Sequence, residues 1–320
     1  MASPVTTSRM ALLPPLAIVF VNNQAGAGRV RHYLPRIKTL FEASGCSAEF
    51  VMTQSSKDLE SRTCTAIGNG ARLLLSMGGD GTFQGLANAA YGTDVILGVL
   101  PTGGGNDFAA ALGLPKDPIA AAHALLRGQP RWVDLARAKT ADGRTCLYVG
   151  GGGVGLDAEA IRYTSGMFRR MPGRLRYIAA ALQTLRSFKP LPIRVEFPGS
   201  DQAPIQADVL LAGVMNTPSY GAGLRLAPEA RLNDGILEFV CLEDLSLRDV
   251  ISLLPRLTWN GELRTSRLLR RRARCIRLTT ERPCNFHGDG EILGPAPVEI
   301  EVVPRAVQVL APEIVGEPAS

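Results

Sequence analysis

Two short stretches combine glycine, a carboxylate and a hydroxyl or amide in an order suited to phosphate chemistry. The first is Gly78, Gly79, Asp80, Gly81 and Thr82; the second is Thr102, Gly103, Gly104, Gly105, Asn106 and Asp107. Glycines let a ligand approach backbone N–H groups, which together with a helix N-terminus favour an anion. Asp80 and Asp107 are the unexpected members, because a carboxylate beside a phosphate is repelled unless a metal ion or a basic neighbour intervenes. They point to Mg²⁺ or to proton abstraction. Taken alone, the first turn reads equally well as an ordinary strand-to-helix turn with a solvated Asp; the recurrence one strand later favours chemistry. A third group is Asp289 and Glu291, separated by Gly290. Residues i and i+2 of an extended chain share a face, so both can point into one cleft. On pattern alone, Gly-Asp-Gly also reads as a hairpin turn.

The elements that position these residues follow from hydrophobic pattern. Residues 73–78 form a short apolar run stopped by glycine, the signature of a buried parallel strand, and 83–91 follow with helical periodicity. Residues 95–100 are a second such strand, opening into a helix after Asp107. Upstream, 16–22 read as a strand, 33–41 as a helix ended by Gly45, 50–51 as part of a strand and 59–69 as a helix; 118–127 add another helix. This alternation predicts a parallel sheet covered on both faces, with the glycine turns along one edge. From Arg131 onward short strand-like stretches dominate, at 133–138, 146–150, 193–197, 209–215, 236–241, 275–280 and 298–303. They read as an antiparallel sandwich. Helical stretches at 174–188 and 246–257 interrupt it, and 306–310 is a last strand.

At this point the chain resembles a known family. GGDGT followed by PTGGGNDFA is similar to the signature of the diacylglycerol kinase catalytic superfamily, which includes bacterial soluble lipid kinases and the sphingosine and ceramide kinases. NAD kinases share the first motif and lack the second in this form. The resemblance runs from about Ile18 to Val309. It implies an N-terminal α/β nucleotide-binding domain at 15–130, after a leader at 1–14, with 306–320 returning to it, and a lipid-binding β-sandwich at 131–305. It implies ATP and Mg²⁺ as cofactors. Asn22, Arg29, Gly78, Gly79, Gly81, Thr82, Thr102, Gly103, Gly104, Gly105 and Asn106 would cradle the nucleotide, with Asn106 on base or ribose. Asn23 departs from the pattern, standing where the family has Pro. Asp80, Asp107 and Asp134 would join a water and metal network around the phosphates, with Asp80 as a metal ligand. Asp289 would be the general base, with Asp80 the second candidate for that role, and Glu291 would place nucleotide or metal. Gly153, Gly155, Asp157 and Ala158 match a further glycine-aspartate element. Asp234 matches a structural Mg²⁺ ligand, with Asn233 where a second Asp is common.

Composition sets the outer bounds. The chain has 320 residues, 46% hydrophobic and 20% charged, which is long enough for two domains with full cores. Cys46, Cys64, Cys146, Cys241, Cys275 and Cys284 are scattered without zinc spacing, as in a reducing compartment. Four of them sit in apolar stretches and read as core residues. The apolar run 10–21 is interrupted by Pro14 and Pro15 and is too short to span a bilayer, so its second half reads as the first strand and not as a signal peptide. His32, His123 and His287 lack metal-ligand spacing. Basic residues outnumber acidic ones 35 to 29. Much of the excess lies in two patches, Arg169–Arg176 and Arg264–Arg274, whose interleaved apolar residues suit an anionic lipid surface. No nucleic-acid motif accompanies them. The expected function is an ATP-dependent lipid kinase, cytoplasmic and peripheral to the inner membrane face, with diacylglycerol the default acceptor. A sphingoid base or ceramide is the nearest alternative; NAD kinase and a catalytically silent nucleotide-binding regulator are more distant. A homodimer is compatible with the sequence.

Overall fold

The computed structural model describes residues 16–156, 158–159, 179, 183–184, 188–221, 223–243 and 265–312. The leader, Asp157, the patch Arg169–Arg176, Arg264 and most of both predicted interrupting helices lie outside the described residues. Among those residues, no helix is long and apolar enough to cross a membrane.

The first half is a parallel sheet in the order β2 (Ser47–Thr53), β1 (Leu16–Asn22), β3 (Leu73–Gly78) and β4 (Ile96–Pro101). β3 is buried at every residue, as a central strand covered on both faces must be. Its helices are α1 (Val30–Ala43), α2 (Ser56–Gly68), α3 (Asp80–Ala90), α4 (Asp107–Ala111) and α5 (Pro118–Leu126). Local chemistry sets their starts. The Ser55 side chain accepts from Asp58 N–H to cap α2, and Asp117 accepts from Ile119 and Ala120 N–H before Pro118 opens α5. α3 starts at Asp80, inside the glycine turn, three residues before the apolar periodicity becomes visible. Phe83 of α3 stacks on Phe108 of α4 with centroids 4.5 Å apart, fixing the two helices that follow the glycine turns.

The second half is antiparallel. β5 (Gln129–Thr140) pairs with β6 (Thr145–Tyr148), and β7 (Gly151–Gly155), β8 (Leu191–Glu196), β9 (Ile205–Met215), β10 (Leu237–Glu243) and β11 (Leu268–Ala273) follow in the chain. β12 (Cys275–Thr280), β13 (Asn285–Gly288), β14 (Glu291–Pro295) and β15 (Val298–Ala311) complete it. The stretches 298–303 and 306–310, read as two strands, form the single strand β15. Its register shifts between Val303 and Val307, where Arg305 adopts φ 50°. Beyond that bulge, Gln308 and Val309 run parallel to β4, while β5 accompanies β15 along both halves. These two long strands join the halves, and Leu147, Val149 and Leu232 enter the hydrophobic core of the parallel sheet.

Several strands lie outside the stretches read from pattern, β7 and β11 among them. β7 is almost entirely glycine and fully buried, because side chains of Met215, Tyr220 and Phe286 occupy the space that Cβ atoms at Gly151 and Gly152 would need. β11 is an arginine-rich strand that, among the described residues, pairs with β10 alone. The expectation of four core cysteines holds in looser form: Cys241 is buried in the core, Cys46, Cys146 and Cys284 are half-buried against the cores, Cys275 is partly covered and Cys64 is exposed. An apolar strand neighbourhood does not decide which face a given residue takes.

Candidate active site

The turns that follow β1, β3 and β4 meet along one sheet edge. Asn22 Nδ2 donates to Thr82 Oγ1 (3.1 Å), tying the first to the second. Thr102 and Gly103 N–H both donate to Gly78 O at 2.9 and 3.1 Å, tying the second to the third. A Cβ on Gly103 would collide with Gly79 Cα, so here glycine is required by direct backbone-to-backbone contact. Gly26, at φ 58°, lies against the Thr102 carbonyl in the same way, and Arg29 Nε donates to Gly26 O (3.0 Å).

Three carboxylates converge on this edge. Asp80 accepts from the N–H groups of Asp107 and Phe108, both at 3.1 Å. Asp107 Oδ1 accepts from the Ser219 hydroxyl at 2.6 Å, a contact from the second half of the chain. Asp289 occupies the tip of the β13–β14 hairpin at φ 51° and accepts from Val149, Gly150 and Gly151 N–H at 2.7, 2.8 and 3.2 Å. Thus the hairpin and the constellation, two competing readings of Gly-Asp-Gly, are the same object. The left-handed backbone aims the carboxylate back at the strand Gly150 leads into, and a side chain at Gly150 would crowd it. Glu291 follows at the rim, with Oε1 and the Asp289 carbonyl facing Gly81.

The acids feel one another. Burial, then Asp107, then Asp289 raise the Asp80 carboxyl to about 7 against the opposing pull of its two N–H partners. Burial raises Asp289 to about 6, opposed by its three N–H groups and by His287. The surrounding protein also raises Glu291. His287 is fully buried two residues before the base candidate, and its Nε2 lies 2.9 Å from the Tyr220 hydroxyl. Beside Asp107 a cleft of about 610 Å³ opens between the halves, lined by Arg29, Tyr33, Gly103 to Asp107, Lys116 and Arg225. Thr102 Oγ1, also on its wall, is buried without a hydrogen-bond partner among the described residues.

Several expected contacts take other roles. Asn106, expected on base or ribose, adopts φ 61° and uses its amide to brace its own turn, through Gly103 N–H and Gly103 O at 3.1 Å each. Asp134, expected at the phosphates, is buried at the joint between the halves. Its two oxygens accept from Arg305 N–H (2.8 Å) and Gly235 N–H (2.7 Å). The strand pattern places Asp134 at a chain crossing and cannot show which N–H groups meet it there. Asp234, expected to hold a structural Mg²⁺, pairs with the Arg272 guanidinium at 2.6 Å, and no group of three His, Cys, Asp or Glu able to hold a metal occurs among the described residues. A guanidinium and a hard dication do not share a carboxylate position, so the residues do not fit that ion. At the Asp80 edge the outcome differs. Mutually repelling carboxylates and the orphaned Thr102 hydroxyl fit a phosphate-borne Mg²⁺, which ordinarily takes only one or two protein carboxylates and fills its shell from phosphates and water. Ser219, Lys116 and Arg225 were not singled out from sequence; they lie in loops without a motif, and only the fold brings them to the cleft.

Comparison with known proteins agrees with this geometry. Residues 16–138 match the diacylglycerol kinase catalytic domain, and 152–311 match the YegS C-terminal NAD kinase beta sandwich-like domain. A Mycobacterium tuberculosis diacylglycerol kinase is 33% identical over 249 residues, covering 77% of this chain and 79% of that protein. A Bacillus subtilis diacylglycerol kinase is 26% identical over 93% of this chain and 96% of its own. A crystal structure of a Bacillus anthracis diacylglycerol kinase superposes with a TM-score of 0.68 at 18% identity, covering 93% and 97% of the two chains, which speaks to the fold alone.

Proposed function

The chain belongs to the diacylglycerol kinase family of lipid kinases, and from that premise we propose that it transfers the γ-phosphate of ATP to the hydroxyl of diacylglycerol, yielding phosphatidic acid and ADP. The observation that carries this reading is Asp289: a buried carboxylate held by three backbone N–H groups beside Asp80 and Asp107, with its affinity for a proton raised.

ATP lies along the glycine turns and in the cleft, where Arg29, Lys116 and Arg225 set three cations against its polyphosphate. The Thr102 hydroxyl and the N–H groups of Gly103 to Gly105 complete the cradle. Mg²⁺, entering with the nucleotide, would be held by Asp80 and Asp107 and would offset phosphate charge. The acceptor oxygen bonds to the γ-phosphorus as the bond from that phosphorus to the bridging oxygen of ADP breaks. Its proton passes to Asp289 Oδ as the oxygen becomes acidic. Glu291 at the rim positions nucleotide, and Asp80 keeps the turn after β4 in place. The exposed Arg267, Arg271 and Arg274 on and beside β11 suit peripheral docking on the anionic inner face of the membrane.

The test is transfer of labelled γ-phosphate, with Mg²⁺, to diacylglycerol, monoacylglycerol, sphingosine and ceramide in mixed micelles. Labelled phosphatidic acid is the expected product. Label on sphingosine or ceramide alone would reassign the acceptor, and no labelled lipid with ATP bound would overturn the reading.

A further inference from the structure

A second concentration of acid lies away from the transfer edge, in the turn that leads into β10. Glu238 on β10 is 3% exposed; burial pushes its carboxyl up, Arg272 opposes this, and Glu229 and Asp234 push it up again. Three acids that sense one another around a turn are what a hard-cation site looks like in sequence. Here a side chain answers them. Arg272 on β11 stands directly opposite Glu238 in the antiparallel ladder, so the strand register delivers its guanidinium to this spot. It reaches Asp234 Oδ2 at 2.6 Å and Glu238 Oε1 at 2.9 Å. The remaining Asp234 oxygen, Oδ1, accepts from Ile236 N–H at 3.2 Å. A planar guanidinium can meet two carboxylates in one plane, which a lysine ammonium does less well.

We propose that Arg272 is the built-in counter-cation of this turn, standing where the family resemblance calls for a structural divalent ion, so that the joint between the two halves is held without metal. The joint depends on the turn. Leu232 O accepts from Asp134 N–H at 2.6 Å, and Gly235 N–H donates to the Asp134 carboxylate. Asn216 Nδ2 then links Asp134 O to Val149 O, whose own N–H helps hold Asp289. Loss of the counter-cation therefore loosens a turn two residues' contacts away from the base. A guanidinium supplied by the chain cannot be removed by a chelator, and it takes Arg272 out of any lipid-binding role for the arginine run around it.

The experiment is thermal unfolding of the nucleotide-free full chain in EDTA and in excess MgCl₂, with bound-metal analysis, for wild type, Arg272→Ala, Arg272→Lys and Asp234→Asn. Wild type is expected to show no Tm difference between the two buffers that depends on Asp234. Arg272→Ala should lose roughly 3–6 °C in EDTA, recover part of it in MgCl₂, and gain the divalent response that wild type lacks; Arg272→Lys should lose less. A wild-type Mg²⁺ shift that Asp234→Asn abolishes, or a bound divalent ion that Asp234→Asn releases, would overturn the proposal. So would Arg272→Ala melting like wild type in EDTA. A Mg²⁺ shift that survives Asp234→Asn belongs to the Asp80 edge and leaves the prediction for this turn fulfilled. The wild-type and Asp234→Asn measurements decide the matter even if Arg272→Ala does not fold.

Discussion

Carboxylates gather at two places in this molecule, the strand edge and the joint between its halves, and the fold treats them differently. At the joint, Asp134 is met by two backbone N–H groups, and the Arg272 guanidinium pairs with Asp234 and Glu238, opposing the rise that burial gives Glu238. At the edge, Asp80 and Asp289 also receive backbone N–H groups, yet burial leaves both with raised proton affinity, and Asp107 and Asp289 add to the repulsion felt by Asp80. Matched charge holds a structure together. Asp80 and Asp289, held by backbone N–H groups on rigid turns while repelling one another, are what a phosphoryl-transfer site needs when a cationic ligand and a proton are to arrive.

The contrast can be broken most sharply at the turns themselves. Gly103→Ala puts a Cβ into Gly79 and should force the glycine turns apart, with a loss of roughly 100-fold or more in kcat/KM and an unchanged far-UV circular dichroism spectrum. Wild-type activity in that variant would mean that the turns do not need to touch. Next comes pH. Asp289 must be ionised to accept a proton, so kcat/KM should climb about tenfold per unit below a midpoint near 6 and level off above it. A flat profile between about pH 5 and 7.5 would remove Asp289 from the role of base.

Stability should show the same asymmetry with the opposite sign. Asp80 titrates near 7 in the folded chain, above its ordinary value of about 4, so the native state retains a proton that the unfolded chain has released. Its contribution to stability is full below about pH 4 and is lost as pH rises through about 7. Thermal unfolding should therefore give a lower Tm at pH 8 than at pH 5.5, with a smaller difference in Asp80→Asn; an equal difference would place the charge strain elsewhere. The smallest effect belongs to the cleft wall. Arg225→Gln should raise KM for ATP by roughly five- to tenfold with kcat little changed, because one exposed cation contributes only about 1 kcal/mol to phosphate binding. A change in kcat with KM constant would assign Arg225 to the transfer step.

Much of the parallel half was legible in the sequence, because buried strands and glycine turns leave short, unmistakable runs such as 73–82. The antiparallel half was less so. β7 carries almost no side chains to show a period, and β11 is dominated by arginines whose pairing partners lie some thirty residues away in the chain. The same boundary runs through the sites. Asp80, Asp107 and Asp289 announce themselves beside glycines. What holds them does not: the three N–H groups around Asp289 come from residues 149–151, and Ser219 reaches Asp107 from a loop without a motif. Asp134 and Asp234 were legible as acids near turns, and only tertiary contacts reveal that they are already matched.

The most direct test of the central claim is labelled γ-phosphate transfer from ATP to diacylglycerol by Asp289→Asn, with ATP affinity measured in parallel. The geometry predicts ATP binding close to that of wild type and a loss of transfer of roughly 10²–10⁴-fold. Transfer at the wild-type rate by that variant would contradict the assignment of the base and, with it, this account of the edge.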